Sequence, residues 1–557
     1  MQIAVLGGGL TGLSAAFNLS YRFPKAQVLL FEKGKRLGGW AQSEFVEVQG
    51  RRILLESGPR TLRPKGAAVL ELIRHLGIED ELITVSKSSS AARKRYVYIP
   101  PGQIPGVSGL NTVGPDLRSP LMRKFLWPII RAPLRFSRLK DIKDGQDESI
   151  HSFASRILGE EMATAVGSAI IHGIYAADSR IISARSTLPF WSPKDRNKVL
   201  KDTQTDIYSD VLQPYPNVGH LGDTLKDASV YSFKSGVETL PRALEQHLER
   251  RSNVQIFRES SILNLLMRQD HTFELSYLNS HNTSASISSA NPTHIVSTLP
   301  LPTFHRITQP QNTTSPSSYP TSQNITTSLS SIPHLTTNPS STVHVLNLIF
   351  PVPPCEIHPP GFGYLIPRPK EGYPSQASDA QPGILGVVFD SCSASLQDSD
   401  EKGVQMQPEE WYTKGSHTKI TVMLGGPYPL YIPPSTPSSP PFTTTTTSLP
   451  LNHTYTPTPT PIPIPHPIQI ILNHLSTHLS RPSLPSPIYY RLWRNTNCIP
   501  TYAINHLDRM REMQSVLRRD VSEGGWGGRV EVVGAGVGGV SVPDCILAGR
   551  NAGLQWL

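Results

Sequence analysis

Cysteine is scarce. The four residues Cys355, Cys392, Cys498 and Cys545 lie far apart in 557 positions and form no Cys-x-x-Cys pair. That spacing argues against a disulfide framework and against a structural zinc site. No apolar run reaches about 18 residues, so no transmembrane helix is expected. The first strand starts almost at Met1, so any targeting segment is expected to be internal or to lie upstream of these residues. Zinc-finger spacing, an aromatic–basic single-strand platform and a helix-turn-helix signal are all missing, so the net charge of +9 does not point to nucleic acid. Nor is there a Ser-His-Asp set, a paired-carboxylate motif or a metal cluster, and no catalytic side chain is assigned. Hydrophobic residues reach only 38%. The shortfall is local. Residues 306–341 and 433–467 are rich in Ser, Thr and Pro, and such segments bury too little apolar surface to offset chain entropy. Both are expected to be disordered insertions in surface loops, which tolerate length. The remainder reads as globular, with a length suited to about two to four domains.

What is present begins at the first residues. Residues 2–7 read as a buried strand, 10–22 as a helix and 26–32 as a second buried strand, which opens a βαβ unit. Between strand and helix lies Gly7-Gly8-Gly9-Leu10-Thr11-Gly12, a G-x-G-x-x-G turn. Gly7 permits the tight turn, Gly9 lets backbone approach a pyrophosphate, and Gly12 allows close helix–strand packing. Glu32 follows 20 residues after Gly12 at the end of the second strand, where a carboxylate accepts hydrogen bonds from a ribose. Next comes Lys33 and then Arg36-Leu37-Gly38-Gly39-Trp40. An R-x-G-G directly after the acid moves the expected dinucleotide from NAD to FAD. Gly58-Pro59-Arg60-Thr61 lies in a third motif, Glu56 to Pro64, in which Gly58 would lie against a flat ring and Arg60 would bring positive charge to a reduced flavin. The fourth is the Gly-rich turn Gly534 to Gly539, followed by Val540-Ser541-Val542 and a final helix.

Taken in order, these motifs resemble those of the protoporphyrinogen oxidases, within the amine-oxidase-like flavoprotein superfamily. The third resembles that family's E-L-G-P-R-G-I-R-P stretch. The fourth is similar to G-V-x-V-N-D-C-I-x-S-G, departing at Pro543, where Asn is usual, and at Leu547-Ala548. Further likenesses occur at Gly173-Ile174-Tyr175-Ala176, Gly361-Phe362-Gly363-Tyr364-Leu365, Thr421 to Gly426 and Asn497 to Tyr502. The resemblance implies an α/β fold: a Rossmann-type FAD-binding domain (1–90, 231–300 and 505–557), a discontinuous mixed-sheet substrate domain (301–504) and a small helical membrane-binding domain (91–230). It implies noncovalent FAD. It adds Val254 at the adenine end and Ala535 with Val540 to Val542 on the flavin side. For the substrate it implies Phe362, Leu365 and Met423 lining a tetrapyrrole, Gly173 leaving it room, and Arg95 pairing a propionate.

The expected reaction is the six-electron oxidation of protoporphyrinogen IX to protoporphyrin IX, with dioxygen as acceptor and hydrogen peroxide released. The cofactor supplies the chemistry while the protein binds, orients and shields. Expected partners are an anionic membrane surface, ferrochelatase and a second copy of the chain, at the mitochondrial inner membrane. The membrane expectation rests also on residues 118–140. Seven cations from Arg118 to Lys140 alternate there with Phe125, Trp127, Ile129 and Ile130, without an acidic residue. Prolines 120, 128 and 133 are expected to break the segment into short turns. Two alternatives stay open. One is another flavoenzyme of the superfamily, such as an amine oxidase or carotenoid desaturase. The other is a non-enzymatic FAD-binding protein.

Overall fold

The computed structural model describes all residues except 65, 115, 117, 139–145, 189–219, 269, 280–285, 310–330, 399–406, 434–435 and 437–462.

Among the described residues, a five-stranded parallel sheet forms the first half of the fold. Its order is Val530–Val532, His294–Ser297, Gln2–Leu6, Gln27–Phe31, Val254–Phe257. Its two central strands are nearly continuous apolar runs, Ile3 to Leu6 and Val28 to Phe31, because both faces are covered. Leu13, Val69, Leu240 and Leu244 pack on one face, and Phe273, Phe304 and Met513 on the other. The first helix, Leu10–Arg22, and the last helix, Val542–Asn551, lie together on the first of these faces. Ser14 Oγ donates to the Ile546 carbonyl at 2.8 Å. The expected strand–turn–helix at both ends of the chain is therefore present, and the two ends meet.

The second half is a seven-stranded mixed sheet, ordered Tyr489–Pro500, Ser340–Phe350, Thr418–Gly425, Ile384–Val388, Gly363–Leu365, Tyr96–Ile104, Val107–Thr112. Two expectations change here. The strand expected at 95–99 is present, but it runs on to Ile104, and residues 100–112, expected to be irregular within a helical domain, complete a hairpin at the edge of this sheet. Val97 and Ile99 face the core, and a glycine turn at Gly106 joins the strands. Pro100 and Pro101 are tolerated at a register shift of an outer strand, where no ladder donor is lost. Secondly, the basic segment is one helix, Pro120–Arg138, with Pro128 and Pro133 inside it. Pro120 takes the first helical position, where its missing N–H costs nothing. The other two are half-buried and exposed, so water can reach the carbonyls they leave free. Leu121 and Phe125 anchor the helix against Val97 and Ile99.

The insertions are narrower than expected. The helix Leu301–Thr308 enters the first, Ile332 and Leu335 are buried, and a sheet strand begins at Ser340. The helix His466–His478 begins inside the second, with Ile468 and Ile471 in the core. Residues 310–330 and 437–462, the centres of both expectations, lie outside the described residues. A three-stranded antiparallel sheet, Ser260–Met267, Phe273–Asn279 and Ser286–Ala290, and two antiparallel pairs that alternation did not signal, Ser43–Val48 with Arg51–Glu56 and Leu82–Ser86 with Ala228–Phe233, make up the other sheets of the described residues.

The Val530–Val532 strand carries a buried acid. Both Glu531 oxygens accept from the Gly553 N–H, and burial pushes its carboxyl up to about 7. The folded chain thus holds this proton more tightly than the unfolded chain does. Stability from the group is complete below the ordinary value of ~4.3 and is lost as pH rises through about 7. Replacing it by Gln removes that loss. The melting temperature of Glu531→Gln, relative to wild type, should therefore rise between about pH 5 and about pH 8. A constant difference across that range would mean the carboxyl ionises freely.

Candidate functional site

The Gly7–Gly12 turn sits at the C-terminal end of the central strand. Gly7 has a φ of +101°, and a Cβ on Gly12 would stand 1.8 Å from the Gly7 carbonyl oxygen. Only glycine fits either place. Gly9 is different. A Cβ there would meet nothing nearer than the Gly39 Cα at 4.0 Å. It opens onto free space at the first turn of a helix, where N–H groups lack partners. Leu10 and Thr11 are buried in that turn. Glu32 is tied into it: Oε2 accepts from Gly8 N–H and Oε1 from Gly34 N–H, both at 2.8 Å. A carboxylate has about four acceptor positions, so capacity for two hydroxyl donors remains. Lys33 is exposed beside it.

The turn continues into a ribbon of small residues. Gly38 N–H donates to the Gly8 carbonyl, and Gly39 lies against Gly9. Arg36 directs its guanidinium into its own loop, donating to the carbonyls of Leu37, Gly39 and Ala41, and lies 3.6 Å from Glu238. These bonds shape the loop around Gly38 and Gly39. Trp40 is 47% exposed. Its carbonyl lies 3.1 Å from where a Gly58 Cβ would stand, which brings the third motif onto the ribbon. Asn495 Nδ2 donates to the Ser57 carbonyl and so fixes Gly58 and Pro59 against the second sheet.

The C-terminal motif reaches the same place. Gly534 packs on Thr11. Tyr502 Oη donates to the Ala535 carbonyl at 2.5 Å, and His506 Nε2 donates to the Val537 carbonyl at 2.9 Å. Sequence reading missed both of these supports, although Tyr502 ends one of the quoted stretches. Val540 is half-buried. Ser541 is the N-cap of the last helix and forms a capping box with Asp544. Val542 packs into the core. These two side chains therefore build the helix start, and what they leave for a cofactor is backbone. Pro543 is accommodated in the first turn and packs on Gly66, so the departure from Asn leaves the helix intact.

Three residues stand differently from expectation. Arg60 is 8% exposed and pairs with Asp390 at 2.9 Å, so its charge is matched and is not free for a flavin. Thr61 lines a cavity of about 10 Å³ with Tyr231 and Ser395. Val254 pairs with Val28 at the far end of the parallel sheet, because its strand runs alongside Gln27–Phe31. The residues that come level with Glu32 are Glu259 and Ser260, whose N–H groups donate to Gly34 and Glu32.

Of the residues expected to line a substrate, Leu365 and Met423 share one sheet row, Gly173 packs on Leu365, and Phe362 lies outside that row. Cross-strand pairing aligns Val97, Leu365, Gly386, Met423, Val345 and Trp493 in one row across the second sheet. Facing this row is the helix Ser168–Tyr175. A Cβ on Gly173 would stand 2.6 Å from Leu365 Cδ2, so only glycine permits this approach. Ile170 and Ile174, one turn apart beside Gly173, are 42% and 53% exposed. They form an apolar stripe that sequence reading missed, because helical periodicity alone assigns such residues to a core. Arg95 is exposed at the rim, its guanidinium 5.7 Å from the Phe362 ring centroid. Desolvation and the like charge of Arg63 lower its pKa.

An open cradle of backbone at Gly9, Gly39 and Gly58, beside two helix starts and a carboxylate, fits a dinucleotide. The fit gives a test that separates binding from folding. Gly9→Leu should fold with a melting temperature near that of the wild-type apoprotein and purify colourless. Gly12→Leu should not fold, since its side chain would overlap the Gly7 carbonyl. Yellow, flavin-loaded Gly9→Leu would show that the cradle is elsewhere.

The model of the flavin containing amine oxidoreductases matches residues 10–346. The protoporphyrinogen oxidase of Schizosaccharomyces pombe is 28% identical over 575 aligned positions, covering 99% of this chain and 97% of that protein. Human protoporphyrinogen oxidase is 27% identical over 565 positions, covering 100% and 98%. A crystal structure from Exiguobacterium sp. 255-15 superposes with a TM-score of 0.62 at 17% identity, covering 100% of this chain and 98% of that one. The chain is an oxidoreductase with a flavin cofactor, and it belongs to the flavin containing amine oxidoreductase family.

Proposed function

We propose that this chain oxidises protoporphyrinogen IX to protoporphyrin IX, with noncovalent FAD as cofactor and dioxygen as the final acceptor. This is the penultimate step of haem synthesis. The observation that carries the reading is the apolar surface beside the second sheet, where the exposed Ile170 and Ile174 flank Gly173 and the row through Leu365 and Met423, with Arg95 exposed on the neighbouring strand. Such a surface suits a broad, apolar ring system with acidic arms. The full-length likeness to protoporphyrinogen oxidases supports the same substrate.

Bound flavin would supply a ring that accepts two electrons at a time, so a six-electron oxidation needs three rounds. The chain's own groups hold and shield. Gly9, Gly39 and Gly58 offer backbone to the dinucleotide, and Glu32 offers acceptors. Leu365, Met423, Ile170 and Ile174 exclude water from the reacting ring. Arg95 holds a carboxylate at the mouth. Noncovalent attachment is supported by the thiols. Burial pushes Cys498 and Cys545 up to about 11 each, which keeps both protonated and poorly nucleophilic.

The decisive assay is oxygen-dependent appearance of porphyrin fluorescence from protoporphyrinogen IX, with hydrogen peroxide measured beside it. Arg95→Ala should raise KM with flavin content unchanged. The loss of one charge-assisted contact is worth about 1.5–3 kcal/mol. Turnover of amines but not of protoporphyrinogen would favour the amine oxidase reading.

Peripheral attachment to an anionic membrane, at the mitochondrial inner membrane, is part of the proposal. So are transfer of product to ferrochelatase and pairing with a second copy. No helix of the described residues is long and apolar enough to cross a membrane. On the basic helix Pro120–Arg138, Trp127 is 65% and Ile130 54% exposed, and the Arg131 guanidinium lies 5.5 Å from the Trp127 ring centroid. Phe125, grouped with these two in the sequence, is core. Wild-type protein should float with cardiolipin-containing liposomes at low salt, and Trp127→Ser/Ile130→Ser should float markedly less. Equal flotation of the two would place attachment elsewhere.

A further inference from the structure

The chain that leaves the second sheet passes through Tyr502 and His506, and both side chains end on the C-terminal glycine loop. Tyr502 follows the strand Tyr489–Pro500, and His506 opens the helix His506–Arg518. Both are buried. Their rings stack, with centroids 4.1 Å apart and planes 11° from parallel. Each carries one donor to a main-chain oxygen of the loop Gly534–Gly539. Tyr502 Oη donates to the Ala535 carbonyl, and His506 Nε2 donates to the Val537 carbonyl two residues on.

The neighbours select these donor roles. A carbonyl only accepts, so His506 carries its hydrogen on Nε2 and leaves Nδ1 as an acceptor. Arg509 only donates, so it takes Asn338 Oδ1 at 3.1 Å and leaves the amide nitrogen to donate to His506 Nδ1 at 2.8 Å. Burial lowers the His506 pKa to about 4 and raises that of Tyr502 well above the usual tyrosine range, so both groups are neutral donors at ordinary pH. The segment is braced from a third part of the chain. The Ser183 N–H donates to the Tyr502 carbonyl at 2.7 Å, the Asn505 N–H donates to Asp147 at 2.7 Å, and Tyr175 meets the Tyr502 ring edge-on with centroids 6.3 Å apart.

The loop itself stands at the cradle. Gly534 packs on Thr11, in the first turn of the helix Leu10–Arg22, close to the opening at Gly9. Gly536 lies against Leu301, whereas a Cβ on Gly538 would meet nothing within 4 Å. A glycine-rich loop has more conformational freedom to lose than any other. Its carbonyl oxygens are also the negative ends of peptide dipoles. Bound to Tyr502 and His506, the oxygens of Ala535 and Val537 are kept from turning toward an anionic ligand.

We infer that Tyr502 and His506 are positioning residues for the cofactor, a stacked pair of donors that holds the Gly534–Gly539 loop in shape as one wall of the dinucleotide cradle. The role rests on the FAD proposed above and is independent of the substrate. It assigns neither residue a proton transfer, because both ring nitrogens of His506 and the hydroxyl hydrogen of Tyr502 are engaged. Without the pair, the cofactor itself must order the loop, and binding weakens by that cost.

The experiment compares full-length wild type, Tyr502→Phe, His506→Gln, His506→Asn and His506→Leu. Phe keeps the ring stack and removes only the hydroxyl. Gln reaches the position of Nε2 and can still donate to Val537. Asn reaches only the position of Nδ1, and Leu has no donor. For each protein the Kd for FAD is read from free FAD after ultrafiltration over a dilution series. Melting temperature is measured without FAD. The Kd should rise about tenfold in Tyr502→Phe, His506→Asn and His506→Leu, the factor that about 1.4 kcal/mol represents, and His506→Gln should recover most of the wild-type value. Flavin-free melting temperatures should stay within about 2–4 °C of wild type. A wild type that retains no FAD overturns the cofactor reading and the role of the pair with it. A wild type that binds FAD, beside variants of equal Kd, overturns the role of the pair alone. So does a Kd that rises only in step with a lower flavin-free melting temperature, with Gln no better than Asn.

Discussion

Arg60 and Asp390 form an ion pair that almost no water reaches, with side chains 8% and 6% exposed. Arg60 belongs to the segment that brings Gly58 to the glycine ribbon. Asp390 closes the Ile384–Val388 strand of the second sheet. The bond is therefore a joint between the half built on the parallel sheet and the half built on the mixed sheet. Burying two charges is costly unless the remaining hydrogen-bonding capacity is met, and removing one partner of such a pair costs about 3–5 kcal/mol. Here it is met. Thr421 Oγ1 donates to Asp390 Oδ2, Asn347 Nδ2 donates to Thr421, and Trp493 Nε1 donates to Asn347 Oδ1. The chain of bonds crosses three strands and ends at Trp493, in the row that faces the helix Ser168–Tyr175.

A second joint repeats the logic nearby. Lys419 Nζ donates to Asp398 and to the Leu54 carbonyl, while Asp398 also accepts from the Leu54 N–H. Burial alone would raise the Asp398 carboxyl, but Lys419 and His417 hold it below the usual range. Two charged joints at neighbouring strand ends leave little freedom for one half to rotate against the other. A flavin enzyme needs this. Where a cofactor and a substrate are held by separate halves of a fold, an error of about 1 Å at the reacting atoms costs on the order of a hundredfold in rate.

The parts legible in the sequence are those governed by local rules. The strand–turn–helix at Gly7–Gly12 follows from backbone sterics, and a Cβ on Gly12 would indeed stand 1.8 Å from a carbonyl oxygen. Leu365 and Met423 were implied only by the family resemblance, and Gly386 beside them was not named. Their alignment into one row is a matter of register, which single strands do not encode. Val254 shows the limit. Its strand was found, but the direction in which that strand runs past Glu32 decides which residue meets the nucleotide. Arg60 shows another: a guanidinium beside a glycine turn reads as a free charge until Asp390, 330 residues on, is seen to match it. The basic helix was misjudged because proline propensity is a property of isolated helices. Leu121 and Phe125, packed on Val97 and Ile99, outweigh it.

His172 could not have been read from sequence at all. A lone histidine on an apolar helix is most simply a buried filler, and its two partners, Ile366 and Tyr373, lie about 200 residues away. Its tautomer is fixed by the only arrangement that satisfies a carbonyl and a hydroxyl at once. The same reasoning explains why glycine follows it. A histidine that draws the helix onto the sheet brings the next residue against Leu365, where any Cβ would stand 2.6 Å from Cδ2 and push the helix away. His172 and Gly173 are thus one device, the first holding the helix on the sheet and the second letting the two main chains lie close.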